Sequence, residues 1–178
     1  MSNTTNISLT RRGFFASTSA AALTTIAAPA AASVEAGSAS DFVYEVTRTT
    51  DEWYELLGEQ SYAIMREGFT EAPKSSPLWE ETGKGSYHCK GCDLKLYEGT
   101  QKVVLDKGWV FFYHSEPDTL LTAIDGQVPQ YGAMAEDAAL IELHCRRCGS
   151  HAGHLVIVAG GMKHCINGAA LDFKPEVA

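Results

Sequence analysis

The stretch CRRCGSHAGH, residues 145–154, places a C-x-x-C pair directly before two histidines, and a second pair, CKGC, occupies residues 89–92. The two pairs are separated by 52 residues. Two thiolates on each of two tight turns can approach one ion from two sides, which suits a closed tetrahedral zinc site. The pattern predicts zinc ligands at Cys89, Cys92, Cys145 and Cys148, with two disulfides as the alternative.

The fifth cysteine, Cys165 in the segment KHCINGAAL, is left over from this pairing. A thiol that is not committed to a metal can serve as a nucleophile. The alternative is a buried, inert thiol.

Residues 1–36 have the composition of a targeting segment rather than of a fold. Arg11 and Arg12 precede Gly-Phe-Phe and a run rich in Ala and Thr that extends to Ala32. This resembles a twin-arginine export signal, cleaved after Ala32 or less favourably after Ala36. A membrane anchor is the alternative, but Ser, Thr and Pro make the run too polar for a spanning helix. We therefore expect a periplasmic or cell-envelope location and no stable membrane span after signal removal.

A linker is predicted at residues 37–48, followed by one domain at residues 49–178. From residue 41 onward the chain carries 12 Lys plus Arg against 21 Asp plus Glu, a net charge of −9. No basic cluster is visible in the sequence. These features argue against nucleic acid as a partner.

The first part of this domain has a helical pattern, and the remainder has a β pattern. Thr49 and Glu52 form a predicted capping box, Gly58 interrupts the helical spacing, and a second short helix over residues 59–67 ends at Gly68. From residue 86 onward, short apolar or alternating runs are separated by Gly, Asp and Pro, which predicts seven to nine antiparallel strands. The predicted class is mainly β with short N-terminal helices and a four-cysteine zinc site.

The positions of His151 and His154 relative to each other depend on the local structure. Three residues apart, they meet on one face of a turn or helix, whereas in a regular strand they point to opposite faces. The spacing alone leaves both arrangements open.

The segments CRRCGSHAGH and KHCINGAALDF resemble the core of the methionine-R-sulfoxide reductase family, whose pattern is CxxCGxHxGH followed by RYCINxxxLxF. Upstream, GSYHCKGCDLKLY resembles the first metal-binding turn of that family, and TDEWYELLGEQSYAIMREGFTEAPKSSPL resembles its helical lead-in. The resemblance covers nearly all of the chain after the targeting segment. It implies a fold of two antiparallel sheets, the β-tent type, with short N-terminal helices.

The resemblance also implies roles for individual residues. Cys165 matches the catalytic thiol, with His151, His154 and Asn167 beside it, and the four paired cysteines match the zinc ligands. Trp109 matches a tryptophan that packs against the methyl group of the substrate. Lys163 and His164 occupy the positions of the arginine and tyrosine before the nucleophile, and we expect both to line the substrate site and to favour the Cys165 thiolate.

This arrangement suits the reduction of methionine sulfoxide in proteins or peptides. A thiolate can attack the partly positive sulfur, and a histidine can protonate the departing oxygen, which leaves a sulfenic acid on the cysteine. With four cysteines holding zinc, no second thiol remains for an internal disulfide. We therefore expect an external reductant of the thioredoxin or glutathione type.

The chain departs from the family pattern around the substrate site. The family's GTGWPSF is DKGWVFF here, and the segment between His154 and Cys165 is shorter than in the family. Gly160 and Gly161 are predicted to turn the chain there. A non-catalytic zinc-stabilised module that binds a peptide or small ligand is one alternative function. A zinc-dependent carbon–sulfur lyase is another, but four cysteine ligands leave zinc no open position.

Overall fold

The computed structural model describes residues 42–125 and 140–177. The predicted export signal and residues 37–41 of the predicted linker lie outside these ranges. In the described part of the chain, one α-helix precedes nine strands arranged in two sheets, and all pairings are antiparallel. The predicted class, mainly β with two antiparallel sheets, is confirmed.

The helix α1, Thr50–Glu67, begins and ends at the predicted residues. The Thr49 side chain accepts from the Glu52 backbone, and the Glu52 side chain accepts from the Thr49 backbone, which forms the predicted capping box. Gly58 has φ 70° and ψ 169° and divides the element into two helical segments. Gly68 closes it in the left-handed conformation, and its N–H donates to the Ala63 carbonyl. Local sequence therefore determines this element.

The larger sheet has six strands in the order β3-β4-β8-β7-β6-β5. Its strands are β3 (Lys102–Val103), β4 (Val110–Phe112), β5 (Leu120–Asp125), β6 (Leu140–Cys145), β7 (His151–Val158) and β8 (Gly161–Ile166). Successive strands from β5 to β8 are neighbours in the sheet. The two C-terminal chemical motifs of the sequence therefore lie side by side.

The smaller sheet has the order β2-β1-β9. Its strands are β1 (Gly85–Cys89), β2 (Lys95–Glu98) and β9 (Leu171–Pro175). Aromatic rings fill the core between the sheets: Tyr97 stacks on Phe112 with centroids 3.9 Å apart, and Tyr87 meets Phe112 edge to face at 5.1 Å. Both tyrosines and Phe112 are fully buried.

A two-residue turn joins β7 to β8. Val158 pairs with Gly161, and the turn residues Ala159 and Gly160 both have positive φ, as the tightest hairpin turns require. The turn was predicted at Gly160 and Gly161, one residue further along. The short hairpin places the residues of β7 directly opposite those of β8.

No helix in residues 42–125 or 140–177 is long and apolar enough to cross a membrane.

Candidate active site and metal centre

The four paired cysteines converge on one point. Their sulfur atoms all lie within 4.8 Å of one another; Cys89 Sγ is 3.7 Å from Cys148 Sγ, and Cys92 Sγ is 3.5 Å from Cys145 Sγ. Sulfur atoms bound to one zinc ion at about 2.3 Å in a tetrahedron are separated by roughly 3.8 Å. All five cysteines of the described chain are free, so the alternative of two disulfides is wrong. The cluster fits a metal ion such as zinc.

Two tight turns bring these thiols together. The first turn lies between β1 and β2, where the Asp93 N–H donates to the Cys89 carbonyl. The second lies between β6 and β7, where the Gly149 N–H donates to the Cys145 carbonyl and Gly149 has φ 70°. The buried guanidinium of Arg66 donates to the Cys148 carbonyl and to Ser150. A metal ion here would fasten the smaller sheet to the larger one.

Cys165 lies away from this cluster, on the opposite face of the large sheet from the aromatic core. Cys165 pairs with His154 on β7 and with Phe111 on β4, and the residues of such cross-strand pairs share a face. The same alternation places Lys163 on this face and His164 on the other. Cys165 is 8% exposed.

A β-bulge brings His151 onto the Cys165 face. Leu143 pairs with Gly153, but the next residue of β6, His144, pairs with His151, so Ala152 is an extra residue in β7. The extra residue shifts the alternation, and His151 and His154 point the same way although both belong to one strand. Their ring centroids are 5.1 Å apart. This settles the arrangement that the sequence left open.

Gly153, between the two histidines, allows β7 and β8 to approach. A Cβ at this position would lie 2.0 Å from the Cys165 carbonyl oxygen and 2.9 Å from the Ile166 Cα. Both of these atoms belong to the backbone and cannot rotate away. The close pairing that brings His154 beside Cys165 therefore requires glycine here.

The thiol of Cys165 is held in its protonated form. Burial raises its pKa to about 12, and the nearby Glu71 carboxylate adds to this effect because like charges oppose ionisation. The expectation that neighbouring positive charge favours the thiolate is therefore wrong for the substrate-free chain.

Glu71 connects three parts of the site. Its carboxylate accepts from the N–H groups of Gly168 (2.6 Å) and Ala169 (3.0 Å), which follow Asn167. Its own N–H donates to Asn167 Oδ1 (3.1 Å), and its carbonyl accepts from Trp109 Nε1 (3.2 Å). The predicted residues Trp109 and Asn167 are thus brought together through this one buried residue.

Asn167 also links Glu71 to the two histidines. Its Nδ2 donates to the Ala152 carbonyl (3.2 Å), and its backbone N–H donates to the same oxygen (2.9 Å). Ala152 is the bulge residue between His151 and His154. The asparagine therefore stabilises the bulge that orients both rings.

Each site histidine contacts a carboxylate. His151 Nδ1 lies 2.7 Å from Glu142 Oε1, and His154 Nε2 lies 3.0 Å from Asp125 Oδ2. Burial lowers the pKa of His154, an effect that Asp125 opposes. His154 is therefore a neutral imidazole at neutral pH.

The two residues that precede Cys165, Lys163 and His164, lie on opposite faces of the large sheet, although both were predicted to line the substrate site. Lys163 is buried on the Cys165 face, with its Nζ 4.9 Å from the centre of the Tyr113 ring. His164 lies on the core face, where its Nδ1 is 3.1 Å from the Tyr97 hydroxyl. Burial, with a smaller contribution from His114, lowers the pKa of His164 to about 4. His164 is uncharged at neutral pH and faces away from a substrate beside Cys165, so the predicted contact of His164 with the substrate is wrong.

Sequence reasoning missed Glu71, Asp125 and Glu142. One signal was available for Glu142, because it shares a strand face with His144 in a run that is otherwise largely apolar, and a charge in such a run needs a buried partner. Glu71 and Asp125 meet their partners 97 and 29 residues away. Their contacts depend on the sheet order.

Comparisons with known proteins agree with this geometry. The SelR domain family matches residues 57–175. The chain is 33% identical over 135 residues to a peptide methionine sulfoxide reductase MsrB of Agrobacterium fabrum, covering 74% of this chain and 94% of the relative. It is 32% identical to an MsrB of Pseudomonas putida (74% and 96% covered) and 28% identical to peptide methionine sulfoxide reductase B3 of Arabidopsis thaliana (75% and 73% covered).

Proposed function

Because this chain belongs to the SelR domain family, whose named relatives are peptide methionine sulfoxide reductases, we propose that it reduces the R diastereomer of methionine sulfoxide with Cys165 as the nucleophile. Reduction of methionine sulfoxide, an oxidoreductase activity, is the part that the family membership supports directly. One observation carries the residue assignment. The single cysteine outside the four-cysteine cluster shares a sheet face with two histidines and is paired across strands with one of them.

The first step transfers one proton and oxidises the Cys165 sulfur by two electrons. Because the Cys165 thiol is protonated at rest, a base must take its proton as the sulfur attacks the sulfoxide sulfur. His154 is the neutral imidazole directly across from Cys165, so it serves as that base. The resulting imidazolium then donates the proton to the sulfoxide oxygen, since an oxygen leaves a sulfoxide only when protonated.

Oxygen transfer completes this step. The oxygen passes from the substrate sulfur to Cys165, which gives methionine and a sulfenic acid. The substrate sulfur is reduced by two electrons and the cysteine sulfur is oxidised by two. We assign Trp109, whose ring nitrogen donates to the Glu71 carbonyl, to pack against the substrate methyl group, and Lys163 to add positive charge on the Cys165 face of the sheet.

Regeneration uses an external thiol of the thioredoxin or glutathione type. A first thiol condenses with the sulfenic acid, releasing water and forming a mixed disulfide with Cys165. A second thiol then attacks this disulfide, which restores the Cys165 thiol and releases the oxidised reductant. The other four cysteines would hold a structural zinc ion as thiolates, so they take no part.

The chain is exported to the periplasm or cell envelope by its twin-arginine segment. This part of the proposal rests on residues 1–36 alone. Replacing Arg11 and Arg12 together by lysine, followed by cell fractionation, tests it: retention of the unprocessed chain in the cytoplasm is expected, and unchanged processing would contradict it.

Activity toward the two diastereomers tests the central assignment. Peptides carrying methionine-R-sulfoxide or methionine-S-sulfoxide are incubated with the zinc-loaded chain and dithiothreitol. We expect product from the R peptide only, and none from Cys165→Ser. Reduction of the S peptide alone would overturn the stereochemical assignment. Full activity in Cys165→Ser would overturn the assignment of Cys165 as the nucleophile. Binding of the peptide without reduction of either diastereomer would favour the alternative of a non-catalytic binding module.

A further inference from the structure

The residues that precede α1 cross both of the turns that carry the four paired cysteines. Residues 42–48, named here the N-terminal arm, form no helix or strand of their own. A segment near the start of a domain is ordered only where contacts hold it down. The contacts of the arm are made to the turn between β6 and β7 and to the turn between β1 and β2.

The arm runs along the turn between β6 and β7. The Val46 N–H donates to the Arg147 carbonyl (3.0 Å), and the Glu45 carboxylate lies 3.6 Å from Arg147 Nε. Arg147 belongs to the short loop between Cys145 and Cys148. The arm therefore holds the loop that sets the distance between these two thiols.

Tyr44 covers the same turn where the chain bends back. Its side chain is buried, and a Cβ at Gly149 would lie 2.8 Å from the Tyr44 ring, too close for any other residue. Gly149 also has φ 70°, a left-handed conformation that favours glycine. The Phe42 ring meets Tyr44 edge to face, with centroids 5.1 Å apart. Two aromatic rings of the arm are thus stacked outside the turn.

Two arginines connect the arm to the turn between β1 and β2. Arg48 donates to the Gly91 carbonyl (3.2 Å), and its guanidinium lies 4.7 Å from the centre of the Trp53 ring. Arg147, which the arm holds, donates to the Cys92 carbonyl (3.4 Å). Cys92 is partly buried, whereas the other three clustered cysteines are buried. The arm therefore also supports the turn that carries the most accessible thiol of the cluster.

We propose that the N-terminal arm closes the metal site, so that a zinc ion held by the four cysteines leaves only after the arm has lifted from both turns. The sulfur separations fit such an ion. The groups that surround a metal and its ligands control the access of water and competing ligands. Lifting the arm breaks the Val46 and Arg48 hydrogen bonds and exposes the Tyr44 ring, so the open form is rare. This inference goes beyond the reduction of methionine sulfoxide and does not depend on that activity.

The rate of zinc release tests the proposal without any turnover. The zinc-loaded full chain is mixed with an excess of the chelator 4-(2-pyridylazo)resorcinol, and its coloured zinc complex is followed over time. Tyr44→Ala should release zinc about tenfold faster than the wild type, because the arm then loses its main buried side chain. Arg48→Ala keeps that ring and removes the contact with Gly91. It should release zinc severalfold faster, and it serves as the test if Tyr44→Ala does not fold.

Two control variants separate closure by the arm from general stability. Val43→Ala changes an exposed residue of the same arm and should release zinc at the wild-type rate. Leu155→Ala shortens a partly buried residue that packs against the core, so it should unfold at lower urea without faster zinc release.

Wild-type release rates in both Tyr44→Ala and Arg48→Ala would overturn the proposal. Equal acceleration in Leu155→Ala and Tyr44→Ala would also overturn it, because zinc would then leave through general unfolding. So would a wild-type chain that binds no zinc.

Discussion

Replacing Glu71 by glutamine should make the protein less stable and its nucleophile more reactive. One oxygen of the Glu71 carboxylate accepts a hydrogen bond from the Gly168 N–H, and the other accepts one from the Ala169 N–H. It also raises the pKa of Cys165, second to burial. Glutamine has nearly the same shape but offers one acceptor oxygen and no charge. The substitution therefore separates the structural effect of Glu71 from its electrostatic effect.

The loss of stability follows from the hydrogen bonds. With one oxygen left, either the Gly168 or the Ala169 N–H faces an amide NH₂ group and has no acceptor. A buried donor without a partner costs about 1–3 kcal/mol. Burial raises the pKa of Glu71, so its charge is itself costly to bury, and removing that charge partly offsets the loss. We expect a net destabilisation of about 1–2 kcal/mol in urea unfolding.

The gain in reactivity follows from the sign of the charge. A nearby carboxylate disfavours the thiolate, so its removal lowers the pKa of Cys165 and increases the thiolate fraction at any pH below that pKa. Iodoacetamide labelling of the zinc-loaded chain between pH 7 and 9, with mass mapping of Cys165, measures this. We expect labelling to be severalfold faster in Glu71→Gln than in the wild type.

A matched control excludes simple loosening of the fold. Ser61 donates to the Ala169 carbonyl and accepts from Lys90 Nζ, so Ser61→Ala removes two hydrogen bonds beside the same turn without changing any charge. It should be destabilised by about 1 kcal/mol, with an unchanged labelling rate. Equal acceleration in both variants, or no acceleration in Glu71→Gln, would refute the electrostatic role of Glu71.

Three further predictions concern the fold and the metal site. Gly153→Ala should lose roughly 3 kcal/mol in urea unfolding, because its Cβ meets the backbone of β8; a loss below about 0.5 kcal/mol would show that the strands can separate at little cost. His164→Phe should flatten the fall in stability between pH 6.5 and about 4. The folded state holds His164 unprotonated through that range while the unfolded chain binds the proton, so stability falls as pH falls; an unchanged slope in urea titrations would contradict the burial of this ring. Cys89→Ser should abolish stoichiometric zinc and lower the melting temperature, whereas one retained zinc per chain by elemental analysis would exclude Cys89 as a ligand.

Features set by neighbouring residues could be predicted from the sequence. The capping box at Thr49, the break at Gly58 and the cap at Gly68 each depend on a few adjacent residues. The four-cysteine cluster was predictable for a different reason, since two C-x-x-C turns have few other uses.

Features set by sheet order were not predictable. His151 and His154 share a face only because of a bulge at Ala152, which the sequence does not mark. The pKa of Cys165 was expected to fall because positive residues are near it in sequence. In the fold, burial and Glu71 act on the thiol instead, and the strand turns His164 toward the core.

A single turnover without reductant tests the division of the five cysteines most directly. The zinc-loaded chain is mixed with excess methionine-R-sulfoxide peptide and dimedone, which traps sulfenic acids, and is then analysed by native mass spectrometry. We predict one dimedone adduct per chain, on Cys165, with one zinc ion retained. A disulfide between Cys165 and any of the other four cysteines, or an adduct on one of those four, would contradict the account.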